Sequence, residues 1–298
     1  MPREFKNVAL VGLYSDSRVA EPMQSIARHL TKRGVAVLGS EDGAGEFGAE
    51  PVAENELAAR ADLIIAVGGD GTMLYAASLV NDYDVPLLGV NRGRLGFLAD
   101  VSPAATLDVL DLILEGSYTM ESRLRLKATL SLPDGTQKTA IGFNDVVLQR
   151  RNTGRMLDFD AKIAGRYVNT HMGDGMICAT PTGSTAYALS CGGPIIEPQL
   201  DAIVLVPICP HTLSDRPVVI PAAHNVEISL REREDTNAEI TVDGHFLGEL
   251  LPADRLTISS DATRISLIHP PGYDYYEILR SKLHWGRDSR KRNPGDRV

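Results

Sequence analysis

Cysteine is scarce in this 298-residue chain, which has only Cys178, Cys191 and Cys209. An odd number of widely spaced cysteines in apolar surroundings excludes a disulfide scaffold and a zinc cluster, and is read as reduced thiols in a cytoplasmic protein. Long apolar runs are also missing. No stretch approaches the roughly 20 residues that a membrane-spanning helix needs, and Met1 to Lys6 shows no signal-peptide core. Positive charge is in deficit: 30 Lys and Arg face 39 Asp and Glu, a net charge of −9. That balance argues against a nucleic-acid duplex or a membrane surface as partner, since both attract basic faces. It leaves room for an anionic small ligand at a local site. No G-x-x-x-x-G-K-[ST] occurs, which removes the Walker loop.

What the chain has instead is Gly68-Gly69-Asp70-Gly71-Thr72, directly after the apolar run Leu63 to Val67. Such a run suits a strand buried on both faces. Met73 to Val80 beyond it is helix-forming. The glycines let the backbone approach a ligand closely, and free N–H groups at the helix start favour phosphate. Asp70 is then an anion at a phosphate site. It fits there as a helix N-cap, as a metal ligand or as an acceptor of a hydroxyl proton.

The first 100 residues alternate strand and helix. Strands are predicted at Asn7 to Leu13, Val35 to Leu38, Leu63 to Val67 and Val85 to Val90. A helix is predicted over Glu21 to Lys32, with Met23, Ile26, Ala27 and Leu30 on one face and Gly34 past its end. Glu41 to Glu50 reads as a loop, and Ser102-Pro103 as the start of a helix that Gly116 stops. This rhythm predicts a doubly wound, Rossmann-like α/β domain with a ligand crevice at the strand C-terminal ends. Near residue 121 the period changes to two, as in Leu124, Leu126, Ala128, Leu130 and Leu132. Short alternating segments separated by turns predict an antiparallel, sandwich-like all-β domain. The expected organisation is an α/β domain over 1–120, a β domain over 121–270, a helix over 271–286 that returns to the first domain, and a disordered tail over 287–298.

Three further motifs stand in the second half. Asn144-Asp145 pairs an amide with a carboxylate, which suits a ribose diol or an Asx turn. Thr180-Pro181-Thr182-Gly183-Ser184-Thr185-Ala186-Tyr187 follows a strand, Met176 to Ala179, and opens a helix expected over Ser184 to Ser190. Pro210-His211-Thr212-Leu213-Ser214-Asp215-Arg216-Pro217 is a third dense segment.

Together these motifs closely resemble the NAD kinase family. Gly68 to Thr72 matches its GGDGT, and Asn91 to Leu98 its N-x-G-x-L-G-F-L. Asn144-Asp145 matches its N-E/D pair, Thr180 to Tyr187 its TPTGSTAY, and Pro210 to Pro217 its PHTLSxRP. The match runs from about Asn7 to Trp285. The glycine turn alone is shared with lipid kinases of the diacylglycerol type and with phosphofructokinase. A lipid or sugar kinase and a non-catalytic NAD(P)-sensing protein are therefore the rival readings.

The resemblance implies ATP-dependent phosphorylation of the adenosine-ribose 2′-hydroxyl of NAD, giving NADP and ADP and controlling NADP supply. It implies Asp70 as proton acceptor, Gly68, Gly69, Gly71 and Thr72 around phosphate, and Asn144 and Asp145 on the ribose. Asp174 would meet the nicotinamide end. Thr185, Ala186, Tyr187 and Ser190 would wrap the nucleotide, with Arg155 and His245 nearby. Met172 stands where some relatives place a basic residue that bears on the phosphoryl donor. A divalent cation, Mg²⁺ or Mn²⁺, is expected to arrive with ATP and to be held mainly through its phosphates, with no dedicated protein site. A homo-oligomer, dimer or tetramer, is expected because relatives form them.

Overall fold

The computed structural model describes residues 3–93, 95–151, 156–231 and 237–285. The tail 287–298 and Arg155 lie outside the described residues. The chain divides into two compact units, one of Met1–Met73, Pro86–Met120 and Ile268–Val298, the other of Leu74–Val85 and Glu121–Leu267.

The predicted alternation is present over residues 7–114, which belong to the first unit except for Leu74–Val85. The elements run β1 (Asn7–Gly12), α1 (Ser17–Lys32), β2 (Ala36–Ser40), α2 (Ala44–Phe47), β3 (Glu50–Val52), α3 (Glu54–Arg60), β4 (Leu63–Gly68), α4 (Asp70–Leu79), β5 (Leu87–Asn91) and α5 (Thr106–Leu114). Strands β6 (Thr119–Arg123) and β19 (Ile265–His269) complete a seven-stranded sheet in the order β3-β2-β1-β4-β5-β19-β6. Strands β1 to β5 pair in parallel. The chain builds outward from β1 to β3, then returns to the other side of β1 at β4. The topological switch point therefore lies between β1 and β4, where Gly12 pairs with Val67, and α/β sheets bind ligands outside that point.

Three local expectations are corrected. Helix α1 starts at Ser17, four residues before the expected Glu21, because Asp16 caps it and accepts from the Arg18 N–H. Pro22 is carried inside the helix. The segment 41–50, expected as a loop, contains α2 and the start of β3. Ser102-Pro103 forms a turn, and α5 begins at Thr106.

The second unit is two six-stranded sheets. One has the order β11-β10-β15-β18-β7-β8, the other β14-β13-β12-β9-β16-β17. Their strands are β7 (Leu126–Ser131), β8 (Gln137–Gly142), β9 (Asp145–Arg150), β10 (Leu157–Ile163), β11 (Arg166–Gly173), β12 (Gly175–Ala179), β13 (Ala202–Ile208), β14 (Val218–Pro221), β15 (Val226–Leu230), β16 (Ala238–Val242), β17 (His245–Leu250) and β18 (Arg255–Ser260). The recorded pairings are antiparallel. Alternate residues of β9, β12 and β13 enter two different cores. Val146, Leu148, Cys178, Ile203 and Leu205 face the core shared by both sheets. Val147, Ile177, Ala179, Val204 and Val206 face a second cluster with Ala188 and Ile196. Double-sided burial explains why these strands read as unbroken apolar runs. Buried Arg125 donates to the Asn81 side chain at 2.8 Å and its carbonyl at 3.0 Å, tying residues 74–85 to this unit.

The last helix, α7 (Tyr275–Leu283), belongs to the first unit and is capped by Asp274, which accepts from the Tyr276 N–H. Its buried stripe is narrower than the sequence suggests: Tyr275, Ile278 and Leu279 are buried, while Tyr276 and Trp285 stay exposed. Replacing Leu279 with Ala should cost about 2–5 kcal/mol of unfolding free energy, the range for a buried leucine. Ser281→Ala on the exposed face should stay within about 0.5 kcal/mol. Equal effects in urea titrations would contradict this packing.

Candidate active site

In the first unit the glycine turn is compressed to one residue. Gly68 ends β4, Gly69 links, and Asp70 opens α4. The Gly69 carbonyl accepts from the Thr72 and Met73 N–H groups and so starts the helix. A Cβ at Gly68 would lie 2.1 Å from the Thr72 hydroxyl, so glycine is required there, whereas Gly69 and Gly71 face open space. The Asp70 carboxylate is fixed from the segment after β5. Oδ2 accepts the Phe97 N–H at 3.0 Å, and Oδ1 accepts those of Leu98 at 2.9 Å and Ala99 at 3.4 Å. An ionised carboxylate has about four acceptor positions, so one remains for a hydroxyl. Gly96 is needed for this approach, because a Cβ there would sit 2.2 Å from Asp70 Oδ1. A cleft of about 590 Å³ opens at this point, bounded by Gly68, Gly69 and Asp70 and by Gly93 and Gly96. That volume is ordinary for a small-molecule site.

In the second unit the expected residues gather around the start of β9. Asp243, which the motif reading missed, organises them. Its carboxylate accepts three consecutive backbone N–H groups, those of Phe143 at 2.6 Å, Asn144 at 2.8 Å and Asp145 at 3.0 Å. Asp243 (φ 48) and Gly244 (φ 81) both have positive φ in the two-residue hairpin between β16 and β17. The Asp-Gly dipeptide between two alternating segments is the signal that could have found it. From the other side the Thr180 hydroxyl donates to the Phe143 carbonyl at 2.7 Å, and the Thr180 N–H donates to the Asn144 carbonyl at 2.8 Å. Gly183 lies so close that a Cβ would be 2.1 Å from the Asn144 carbonyl. The Asn144-Asp145 and Thr180 to Tyr187 motifs are thus one structure, and exposed His245 starts β17 at its rim.

Asp145 is almost fully buried. Loss of water, and secondarily the charge of Asp243, raises its carboxyl to about 7. Burial also raises Asp243, opposed by its three N–H donors. Cys178, wholly buried, is pushed up to about 12 by desolvation and by Asp145. The helix expected over Ser184 to Ser190 is two pieces: a 3₁₀ turn, Gly183–Thr185, and one turn of helix α6, Tyr187–Ser190. Ala186 (φ −96, ψ −128) separates them. Tyr187 and Ser190 are exposed and Thr185 is half-buried. Asp174 and Met172 lie elsewhere, around the junction of β11 and β12. Asp174 is paired with Arg150 at 3.0 Å, and the Met172 carbonyl accepts the His211 N–H at 2.8 Å. Since Ala179 pairs with Asp145 and Gly175 with Gln149, Asp174 stands about 13–17 Å along the strand from the Asp145 end, at about 3.3 Å per residue. Among the described residues no group of three or more His, Cys, Asp or Glu is arranged to hold a metal ion.

A fixed acid beside open glycines at a switch point of an α/β sheet is an arrangement whose free N–H groups and close backbone suit a phosphate-bearing ligand. The comparisons extend this reading. The family model for the ATP-NAD kinase N-terminal domain matches residues 10–118, and that for the ATP-NAD kinase C-terminal domain matches residues 143–269. A NAD kinase of Aromatoleum aromaticum is 44% identical over 295 residues, 98% of this chain and 98% of its own. One of Nitrosococcus oceani is 43% identical over 290 residues, 96% of this chain and 99% of its own. Yeast NADH kinase, solved in complex with NADH, superposes with a TM-score of 0.88 at 26% identity, covering 98% of this chain and 90% of that one. An NAD kinase from Archaeoglobus fulgidus in complex with ATP gives 0.72 at 25% identity, covering 93% and 98%. The chain belongs to the ATP-NAD kinase family and is an enzyme of the phosphotransferase class.

The raised Asp145 carboxyl makes a prediction about stability. The folded state holds this proton up to about pH 7, the unfolded state only to its ordinary value near 3.8. The contribution is full below 3.8 and is lost as pH rises through 7, with a slope of at most about 1.4 kcal/mol per pH unit. The unfolding free energy of Asp145→Asn, relative to wild type, should therefore improve from pH 5 to pH 8. A difference independent of pH would rule out the elevated carboxyl.

Proposed function

We propose that this chain transfers the γ-phosphoryl group of ATP to the 2′-hydroxyl of the adenosine ribose of NAD, releasing NADP and ADP. The observation that carries the reading is the Asp70 carboxylate, held by backbone N–H groups at the switch-point cleft with one acceptor position left over. A protein that only bound a dinucleotide has no need of a fixed anion among phosphate-binding glycines. The hydroxyl proton passes to Asp70 as the oxygen–phosphorus bond forms, and ADP departs with the electron pair of the broken bond. Gly68, Gly69, Gly71 and Thr72 line the phosphates. Phosphoryl transfer demands little more than alignment and charge stabilisation from the protein.

Asn144 and Asp145 hold the ribose hydroxyls, with Asp243 fixing their backbone. Asp174 serves the nicotinamide end, and its distance along β12 suits the far end of a dinucleotide. Thr185, Ala186, Tyr187 and Ser190 wrap the nucleotide, with His245 at the rim, and Met172 carries its bearing on the phosphoryl donor from its motif position alone. Arg155 carries the same NAD-contact reading from its motif position alone. A divalent cation, Mg²⁺ or Mn²⁺, neutralises the donor's phosphates when bound. It is held mainly through those phosphates, because the remaining acceptor position of Asp70 serves the hydroxyl. A second copy of the chain is the partner we assign to the exposed Tyr167, Val168, Val218 and Val219 on edge strands β11 and β14. The free thiols Cys178, Cys191 and Cys209 suit a reducing, cytoplasmic setting. No helix among the described residues is long and apolar enough to cross a membrane.

Asp70→Asn should lower turnover in an NADP-forming assay by at least about 10²-fold, the scale of a general base. NAD binding should survive. Gly96→Ala, which pushes the Asp70 carboxylate aside without removing it, should lower turnover comparably through misplacement. Either variant turning over at the wild-type rate would remove Asp70 from the chemistry.

Asp145→Ala should weaken NAD binding by about 1.5–3 kcal/mol, the range for hydrogen bonds to a charged group. In the wild type, affinity should fall as pH drops through 7, because the protonated carboxyl loses acceptor capacity. Calorimetric titrations at pH 6 and 8 read both effects, and unchanged affinity in the folded variant would leave Asp145 a purely structural group.

A further inference from the structure

Three cations of the first unit converge on the switch-point cleft and have no part in the reading above. They are Arg18 in the first turn of α1, Arg92 after β5 and Lys282 on α7. One acid serves the first two. Asp16 accepts Arg18 Nε at 3.0 Å and Nη2 at 2.8 Å in a two-pronged pair, and accepts Arg92 Nη1 at 3.0 Å. The Arg18 hydrogen bond, ahead of the other influences, holds the Asp16 carboxyl down to about 2, so it is ionised at any working pH. Two guanidinium groups are thus oriented by one carboxylate and retain a net positive charge. Lys282 adds another, its ammonium lying over the Phe97 ring at 5.5 Å from the centroid. Phe97 is also the residue whose N–H holds Asp70. In a chain of net charge −9, three positive side chains from three elements around one cleft form a local field for a multiply charged anion. The arginines are preorganised for phosphate oxygens, which a guanidinium fork matches.

We propose that Arg18, Arg92 and Lys282 form the seat of the phosphoryl donor's triphosphate chain, with Asp16 as the positioning residue for the two arginines. The inference rests on the reading of the chain as an ATP-dependent kinase. The donor is favoured over the acceptor because the cleft contains Asp70 and glycines but no apolar side chain to grip a base or nicotinamide. The ribose pair Asn144 and Asp145 does not line it. A polyphosphate chain needs only charges and close backbone.

The test separates the two substrates. Arg92→Ala and Lys282→Ala should each raise the KM for ATP about tenfold and leave the KM for NAD within twofold. Lys282→Arg, which keeps the charge, should recover most of the loss, and Arg92→Lys, which keeps the charge without the fork, only part of it. Inorganic tripolyphosphate should inhibit the wild type competitively against ATP, and its Ki should rise by the same factor in the alanine variants. A rise in the KM for NAD alone, or an unchanged Ki for tripolyphosphate in variants with wild-type melting behaviour, would overturn the seat. If the wild type forms no NADP, the kinase reading fails independently. Calorimetric binding of tripolyphosphate, lost in Arg92→Ala and Lys282→Ala, would still support an anion seat, and no binding to the wild type would sink it.

Discussion

A carboxylate accepting a run of backbone N–H groups is the interaction on which both halves of this protein depend. In the second unit Asp243 takes the N–H groups of Phe143, Asn144 and Asp145, and so fixes the segment that enters β9. In the first, Asp70 takes those of Phe97, Leu98 and Ala99, and so binds the glycine turn to the segment after β5. The energetics favour this device. Unpaired buried N–H groups are costly, and a charged acceptor satisfies several at once. The two acids differ in what is left over. Asp243 lies under the chain it organises, while Asp70 lines an open cleft.

The glycines follow from these contacts. Gly96 and Gly183 are positions where a neighbouring oxygen occupies the space of a Cβ. Asp145 shows the other side of the same economy. It is held in place through its backbone, so its carboxyl is buried with few donors and carries the desolvation penalty itself. A group strained in that way is poised to be relieved by hydroxyl donors.

The local parts of this arrangement were legible in the sequence. The strand–glycine–helix turn at Leu63 to Val80, the apolar stripe of α1 and the alternation of β7 and β10 all depend on neighbours within a few residues. Family membership was legible because five motifs occur in order. What was not legible depends on distance. Asp243 acts on residues about a hundred positions earlier, and nothing local in Phe143-Asn144-Asp145 names its acceptor. Strand β11 is half-exposed at a sheet edge and shows no alternation. Helix α1 was read from its stripe, which starts after its cap. The break at Ala186 follows from the fit of the Thr180 to Tyr187 loop against Asn144, a contact between distant segments.

The discontinuity of the first unit has a consequence for synthesis. Its sheet places β19 between β5 and β6, although β19 follows both in the chain, after all of β7 to β18. Chains emerge from the ribosome N-terminus first, and domains generally fold as units while this proceeds. Here β5 and β6 are translated well over a hundred residues before the strand that joins them. The nascent first unit therefore waits with unpaired edges on β5 and β6 until β19 has emerged, by which time β7 to β18 have all been made. A ribosome that stalls or stops before residue 265 leaves those edges open, and such a product is a substrate for chaperones and proteases.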